Sequence, residues 1–129
     1  MPLMRIDLVE GRGADQVRAI SQAVHAAMLA AFKVPERDRY QIITEHKPGH
    51  LVMEDTGLDI PRTDNRIMIH VITRPRPREQ KEIFYRLLCE ELQKNAGILP
   101  TDVMVSVVEN SDEDWSFGHG RAQFLTGEL

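Results

Sequence analysis

The sequence predicts an α+β fold, two β-α-β halves making one four-stranded sheet with both helices on the same face, and three observations carry it. Residues 14–33 and 78–96 show the apolar three-and-four spacing of helices that lay one stripe against a sheet. Short apolar runs, long enough for strands, flank each of them. The strand-helix-strand pattern then starts again about 65 residues after it first begins, a topological repeat although letter-by-letter identity is weak.

In the first half, residues 3–9 alternate imperfectly between apolar and polar, as a strand with one better-buried face does, until Gly11-Arg12-Gly13 breaks the run. The first helix carries Val17, Ile20, Val24, Met28 and Ala31 on one stripe and is bounded by Pro35. A second strand over 40–44 places Tyr40, Ile42 and Thr44 on one side. Lys47-Pro48-Gly49-His50 reads as a turn and 51–53 as a short further strand, before a loop over 55–65 rich in Asp, Thr, Gly and Pro.

In the second half, 67–72 is apolar on both faces, the mark of a strand buried from both sides. Thr73-Arg74-Pro75-Arg76-Pro77 interrupts it. The second helix has Ile83, Leu87, Leu88 and Leu92 as its stripe, favourable pairs Glu82/Arg86 and Glu90/Lys94, and Gly97 as a natural stop. A last apolar strand covers 103–108. Two helices on one face leave the other face bare, and strands apolar on both sides require a cover for it; in a chain this short, a second subunit is the expected cover.

With 129 residues the chain is expected to form a single domain, its halves spanning about 2–54 and 66–109, with an aromatic tail over 110–129. A composition 42% hydrophobic and 28% charged is that of an ordinary soluble protein, and no apolar run approaches the ~20 residues of a membrane span. A cytoplasmic protein with no membrane partner is the expectation. Cys89 is the only cysteine, which excludes an internal disulfide and a thiolate cluster. A net charge of −4 argues against a nucleic-acid partner. The five histidines are scattered, His46 and His50 being separated by Pro48-Gly49, so no metal site is expected. Neither a Walker loop nor a Rossmann glycine fingerprint occurs, and no cofactor is implied.

The residues with chemistry to offer begin with Met1-Pro2-Leu3. Removal of the methionine leaves Pro2 with a free secondary amine, and an α-amine titrates near ~8, close enough to neutrality to act as base, acid or nucleophile. With Met1 retained, Pro2 has only an amide nitrogen. Arg74 and Arg76 flank Pro75 at the end of a strand; two residues apart in extended backbone, both guanidinium groups can converge on one anion, or else solvate the loop and pair with Glu79. Asp38, within Glu36-Arg37-Asp38-Arg39, is either a surface charge or a carboxylate at the mouth of the crevice. Of seven aromatic residues, Trp115, Phe117 and Phe124 fall in the glycine-rich tail, which must dock them on a core or use them as a pocket wall.

These features together, with Val34-Pro35, Asp38-Arg39-Tyr40-Gln41, Glu54-Asp55-Thr56-Gly57-Leu58, Arg74-Pro75-Arg76, Glu79-Gln80-Lys81 and above all Glu109-Asn110-Ser111-Asp112, Asp114-Trp115-Ser116-Phe117-Gly118 and Phe124-Leu125-Thr126-Gly127, resemble the tautomerase superfamily, and within it the malonate semialdehyde decarboxylases. The likeness covers essentially the whole chain and is weakest over 59–66. It implies a tautomerase/MIF-like sheet assembled as a homotrimer, and cofactor-independent decarboxylation of a small 3-oxo acid. It assigns catalysis to Pro2, Asp38, Arg74 and Arg76, the substrate carboxylate to the two arginines, and an apolar pocket wall to Trp115, Phe117, Phe124, Leu125 and Leu129. The alternatives are a keto-enol tautomerase or a hydratase/dehalogenase of unsaturated or 2-oxo acids, and a non-catalytic trimeric binding protein. A ferredoxin-like RNA-binding module needs aromatics on its central strands, and neither 67–72 nor 103–108 has one.

Overall fold

In the computed structural model, which describes residues 1–129, four strands and two long helices account for most of the chain: β1 (Leu3–Val9), α1 (Ala14–Phe32), β2 (Tyr40–His46), β3 (Ile67–Thr73), α2 (Arg78–Ala96) and β4 (Val103–Glu109). A single turn of helix, α3 (Gln123–Thr126), lies in the tail. The sheet order is β2-β1-β3-β4. β1 and β2 run parallel, as do β3 and β4, and the halves meet in an antiparallel β1–β3 pair. Each half is therefore a β-α-β unit whose helix makes the crossover that a parallel pair demands.

The register decides which side of each strand meets the helices. Met4, Ile6 and Leu8 of β1 pair with Val71, Ile69 and Ile67 of β3, and all six are buried beneath α1 and α2. The helices supply Ile20, Val24, Met28 and Phe32 from α1 and Phe84, Leu88 and Leu92 from α2. Phe32 and Phe84 stack with ring centroids 5.0 Å apart. Each such side chain, fully buried, contributes about 1.5–3 kcal/mol. The stripe on α2 differs from the expected one: Phe84 is buried where Ile83, 40% exposed, is not, because the Phe32 ring fixes which side of the helix turns inward. Lys33 in the left-handed conformation ends α1, and Gly97 does the same for α2 at φ 67°.

The opposite face of the sheet is uncovered. It presents Leu3, Tyr40, Ile72 and Val108 in one row and Ile42, Arg5, His70 and Ser106 in the next. Only the helix-facing side of 67–72 is sealed within the chain, so the strand expected to be buried on both sides is half-open here. The short strand expected at 51–53 does not form. Leu51 and Met53 are buried as side-chain anchors, while Arg66 takes the Leu51 carbonyl (2.9 Å) that a ladder would have used, together with the Pro48 carbonyl (2.6 Å) of the preceding turn. No helix is long and apolar enough to cross a membrane.

The topology also gathers loops at one end of the sheet. Because Leu3 pairs with Tyr40 on one side and Ile72 on the other, the residues before β1 and β2 come together with those after β3 and β4.

Candidate active site

At that end the amino terminus meets Asp38, Arg74 and Arg76. Pro2 is buried, which anchors the chain just before β1. Met1 lines a cleft of about 390 Å³ with Pro35, Arg37, Asp38, Tyr40, Phe117, Gln123, Glu128 and Leu129. Its amine is lowered from 8.0 to about 6, first by burial and then by Arg76 and Arg74, against the opposing pull of Asp38 and Asp112. A base that burial and two cations hold largely unprotonated at neutral pH is chemically available.

Asp38 is 6% exposed, and its backbone N–H donates to the Pro35 carbonyl at 2.9 Å, a turn that tucks the side chain inward. Its pKa is raised by burial, with the terminal amine, Arg76 and His25 acting against the rise. Amine and carboxyl thus each favour the other's charged form. That mutual dependence makes them one titrating unit.

The arginines are held by different means. Arg76 donates from Nε to Thr73 Oγ1 at 3.1 Å and from Nη1 to the Phe32 carbonyl at 3.4 Å, over the Phe32 ring at 5.1 Å, while its backbone N–H donates to Glu109 at 2.6 Å. Arg74 pairs through Nε with Asp112 at 2.7 Å and lies 4.1 Å over the Phe124 ring. Glu79, the partner considered from sequence, makes no bond to either. Arg74, Pro75, Arg76 and Asp112 line a second, polar cleft of about 480 Å³. Met1 lines the first cleft, and charges from both clefts act on its amine.

The tail supplies the apolar side. Phe117 stacks on Tyr40 (5.6 Å) and on Trp115 (5.6 Å) and meets Phe124 edge-on at 5.5 Å. Phe117 and Leu129 line the cleft beside Met1, Phe124 lies beneath Arg74, and Trp115 sits on the far side of Phe117. Leu125 is 62% exposed and lines none of these clefts.

Sequence reasoning gave no role to the groups that hold this wall. Buried Gln123 accepts the Phe117 N–H at 2.9 Å and donates to the Gly118 carbonyl at 2.7 Å, and Asn110 accepts the Trp115 indole N–H at 2.7 Å. Ser111 and Asp114 close a capping box that turns the chain from β4 toward Trp115. The one available signal was polar amides set among aromatics, since such groups are buried only when bonded.

Comparison with known proteins gives the family. Models described as tautomerase enzyme match residues 38–118 and 2–59. The probable tautomerase YrdN of Bacillus subtilis (strain 168) is 50% identical over 129 residues, covering all of both chains. The chain belongs to the tautomerase family. Among solved structures, this tautomerase is similar to a malonate semialdehyde decarboxylase at 51% identity and TM-score 0.97, covering 98% of each chain. A malonate semialdehyde decarboxylase inhibited by 3-bromopropiolate matches at 42% identity and TM-score 0.95, over 98% of this chain and 97% of that one.

Proposed function

We propose that this tautomerase is a cofactor-independent decarboxylase of a small 3-oxo acid, malonate semialdehyde, giving acetaldehyde and CO2 through the amine of Pro2 after Met1 is removed. The observation that carries the proposal is the convergence of the amino terminus, Asp38, Arg74 and Arg76 at one end of the sheet. The whole-length likeness to two malonate semialdehyde decarboxylases supports it.

The chemistry follows from those groups. Arg74 and Arg76 bind the substrate carboxylate. Breaking the bond between the carboxyl carbon and C2 leaves its electron pair on C2, where it becomes the C2–C3 double bond as the aldehyde oxygen on C3 takes a proton from the Pro2 ammonium. The enol then takes a proton from water at C2 and returns its hydroxyl proton to the Pro2 amine, which leaves acetaldehyde and the ammonium ready for the next turnover. Pro2 can equally condense with the aldehyde, losing water, so that the iminium nitrogen accepts the electron pair; the resulting enamine takes a proton at C2, and hydrolysis releases acetaldehyde and returns the amine. Asp38 holds the ammonium in its charged form. The wall of Phe117, Phe124, Trp115 and Leu129 favours departure of uncharged CO2.

One set of products decides the reaction class. Malonate semialdehyde given to the processed protein is expected to yield acetaldehyde and CO2 in equal amounts. Ketonised or hydrated products from unsaturated or 2-oxo acids, with malonate semialdehyde untouched, would instead favour the tautomerase or hydratase reading, for which the names of the relatives give reason: YrdN is a probable tautomerase, and the first decarboxylase structure is described with hydratase activity also. Borohydride trapping of a protein adduct, read by mass, separates the iminium route from the acid route.

A further inference from the structure

Two buried side-chain atoms near the amine lack a hydrogen-bond partner, Asp38 Oδ2 and His25 Nδ1. Both residues are 6% exposed. His25 belongs to the buried face of α1, one turn after Ser21, and Ser21 already bonds the segment that carries Asp38: Arg39 Nη2 donates to Ser21 Oγ at 2.7 Å, and Gln41 Nε2 donates to the Ser21 carbonyl at 3.0 Å. The Ser21–His25 side of the helix therefore runs along the stretch from Glu36 to Gln41. Unlike Asp38, His25 lines neither the Met1 cleft nor the arginine cleft, so it approaches the carboxyl group from the protein side.

The charged groups facing the pair are few. Around His25 they are Arg39, Glu36 and Asp38; around Asp38 they are the terminal amine, Arg76 and His25 itself. Burial first, and Arg39 second, hold the imidazole below its ordinary value, so it is neutral at pH 7. The one N–H of the neutral imidazole goes to the Glu36 carbonyl, so the unpartnered Nδ1 can only accept, as can an ionised carboxylate. Buried polar atoms left without partners are costly, and one water with two polar neighbours relieves both.

Taking Asp38 as the carboxylate of the proposed decarboxylase, we propose that His25 is its positioning residue: one bridging water donates one O–H to His25 Nδ1 and the other to Asp38 Oδ2, and leaves Oδ1 to face the amine. The histidine touches no substrate. Its effect is to favour the ionised form of Asp38 and, through Asp38, the protonated form of the amine.

The test compares His25→Leu, His25→Asn and His25→Gln in the processed protein, reading Asp38 titration by carboxyl-carbon NMR alongside kcat, KM and melting temperature. Asparagine can place its amide oxygen, an acceptor, near the position of Nδ1; glutamine places its amide near Nε2. The leucine variant is expected to raise the Asp38 pKa by about one unit, because a hydrogen bond to the charged form is lost. It should also lower kcat about tenfold with little change in KM and narrow the pH–rate bell from both sides, as the acid limb rises and the basic limb falls. Asparagine should restore both readouts and glutamine should not. If leucine leaves Asp38 titration and kcat as in the parent, or if asparagine is no better than leucine, the role is wrong. Should leucine prevent folding, identical Asp38 titration in the asparagine and glutamine variants overturns it as well. NMR titration needs no substrate, so a parent protein inactive on malonate semialdehyde refutes the function while leaving this test intact.

Discussion

Asp112 holds Arg74 through its Nε at 2.7 Å, and both terminal nitrogens of that guanidinium are left without a partner inside the chain. Arg76, by contrast, spends Nε and Nη1 on Thr73 and the Phe32 carbonyl. The first arginine is presented to the cleft and the second is built into its wall. Arg74→Ala and Arg76→Ala should each lower kcat/KM for a 3-oxo acid by a factor corresponding to about 2–5 kcal/mol, the usual cost of a lost charged contact. They should differ in stability. Arg76→Ala is expected to lower the melting temperature measurably and Arg74→Ala hardly at all; equal effects would contradict this division of labour. Arg74→Lys should recover only part of the activity, since a point charge replaces a fork.

Gln123 is the group on which the tail's conformation depends. Gln123→Ala leaves the Phe117 N–H and the Gly118 carbonyl unpaired, a cost of about 1–3 kcal/mol for each partner that stays buried. The variant is expected to keep its sheet and helices by circular dichroism, to be cut by protease within 110–129 well before the parent is, and to lose activity. A tail as resistant as the parent's would show that the aromatic stacking alone holds it.

Much of this arrangement was legible in the sequence. Helix periodicity gave α2 at 78–96, as found, and α1 to within one residue, the difference being Lys33, whose left-handed backbone caps the helix. β2 reaches two residues beyond its expected end, to His46, where the His46 ring meets Asp7 at 2.6 Å. The short strand at 51–53 was misread because alternating burial there comes from anchoring by Arg66 rather than from a ladder. Arg74, Arg76 and Asp38 stood out as charges beside strand ends. The groups that hold the site did not: Asp112 pairs with Arg74 across a separation that no local pattern encodes, and Gln123, although it acts on nearby Phe117 and Gly118, follows no recognisable spacing.

The titration of the amine has a stability consequence with a definite sign. In the methionine-bearing chain the amine falls from 8.0 to about 6 on folding, so between those values the unfolded chain binds more protons and stability rises with pH. Asp38 shifts the other way. Its raised pKa means the folded chain holds the extra proton, so its contribution is lost as pH climbs through the folded value, above the ordinary carboxylate range. Denaturant unfolding at pH 6 and pH 8 should therefore show the methionine-bearing chain more stable at the higher pH, and an Nα-acetylated chain should lose that increment. No difference between the two chains would mean the amine is not buried.

Ile42, Met104 and Val108 are exposed on the open sheet face. Their cover is expected to be two further copies of the chain. Sedimentation equilibrium at micromolar concentration should return three times the chain mass, and Val108→Asp should lower it. A stable monomer would remove the homotrimer from the proposal.

The amine of Pro2 is the centre of the account, and a rate comparison between two forms of one protein tests it. Mass spectrometry first verifies one preparation with Met1 removed and another with Met1 retained, and the rate of CO2 release from malonate semialdehyde is then measured for both. The retained methionine puts a primary amine one residue away from the position of the ring nitrogen and turns Pro2 into an amide, so misplacement alone should remove most of the rate. The account predicts turnover by the processed form and only a small residual rate from the other. Equal rates would contradict it, for the prolyl amine would then have no part in the reaction.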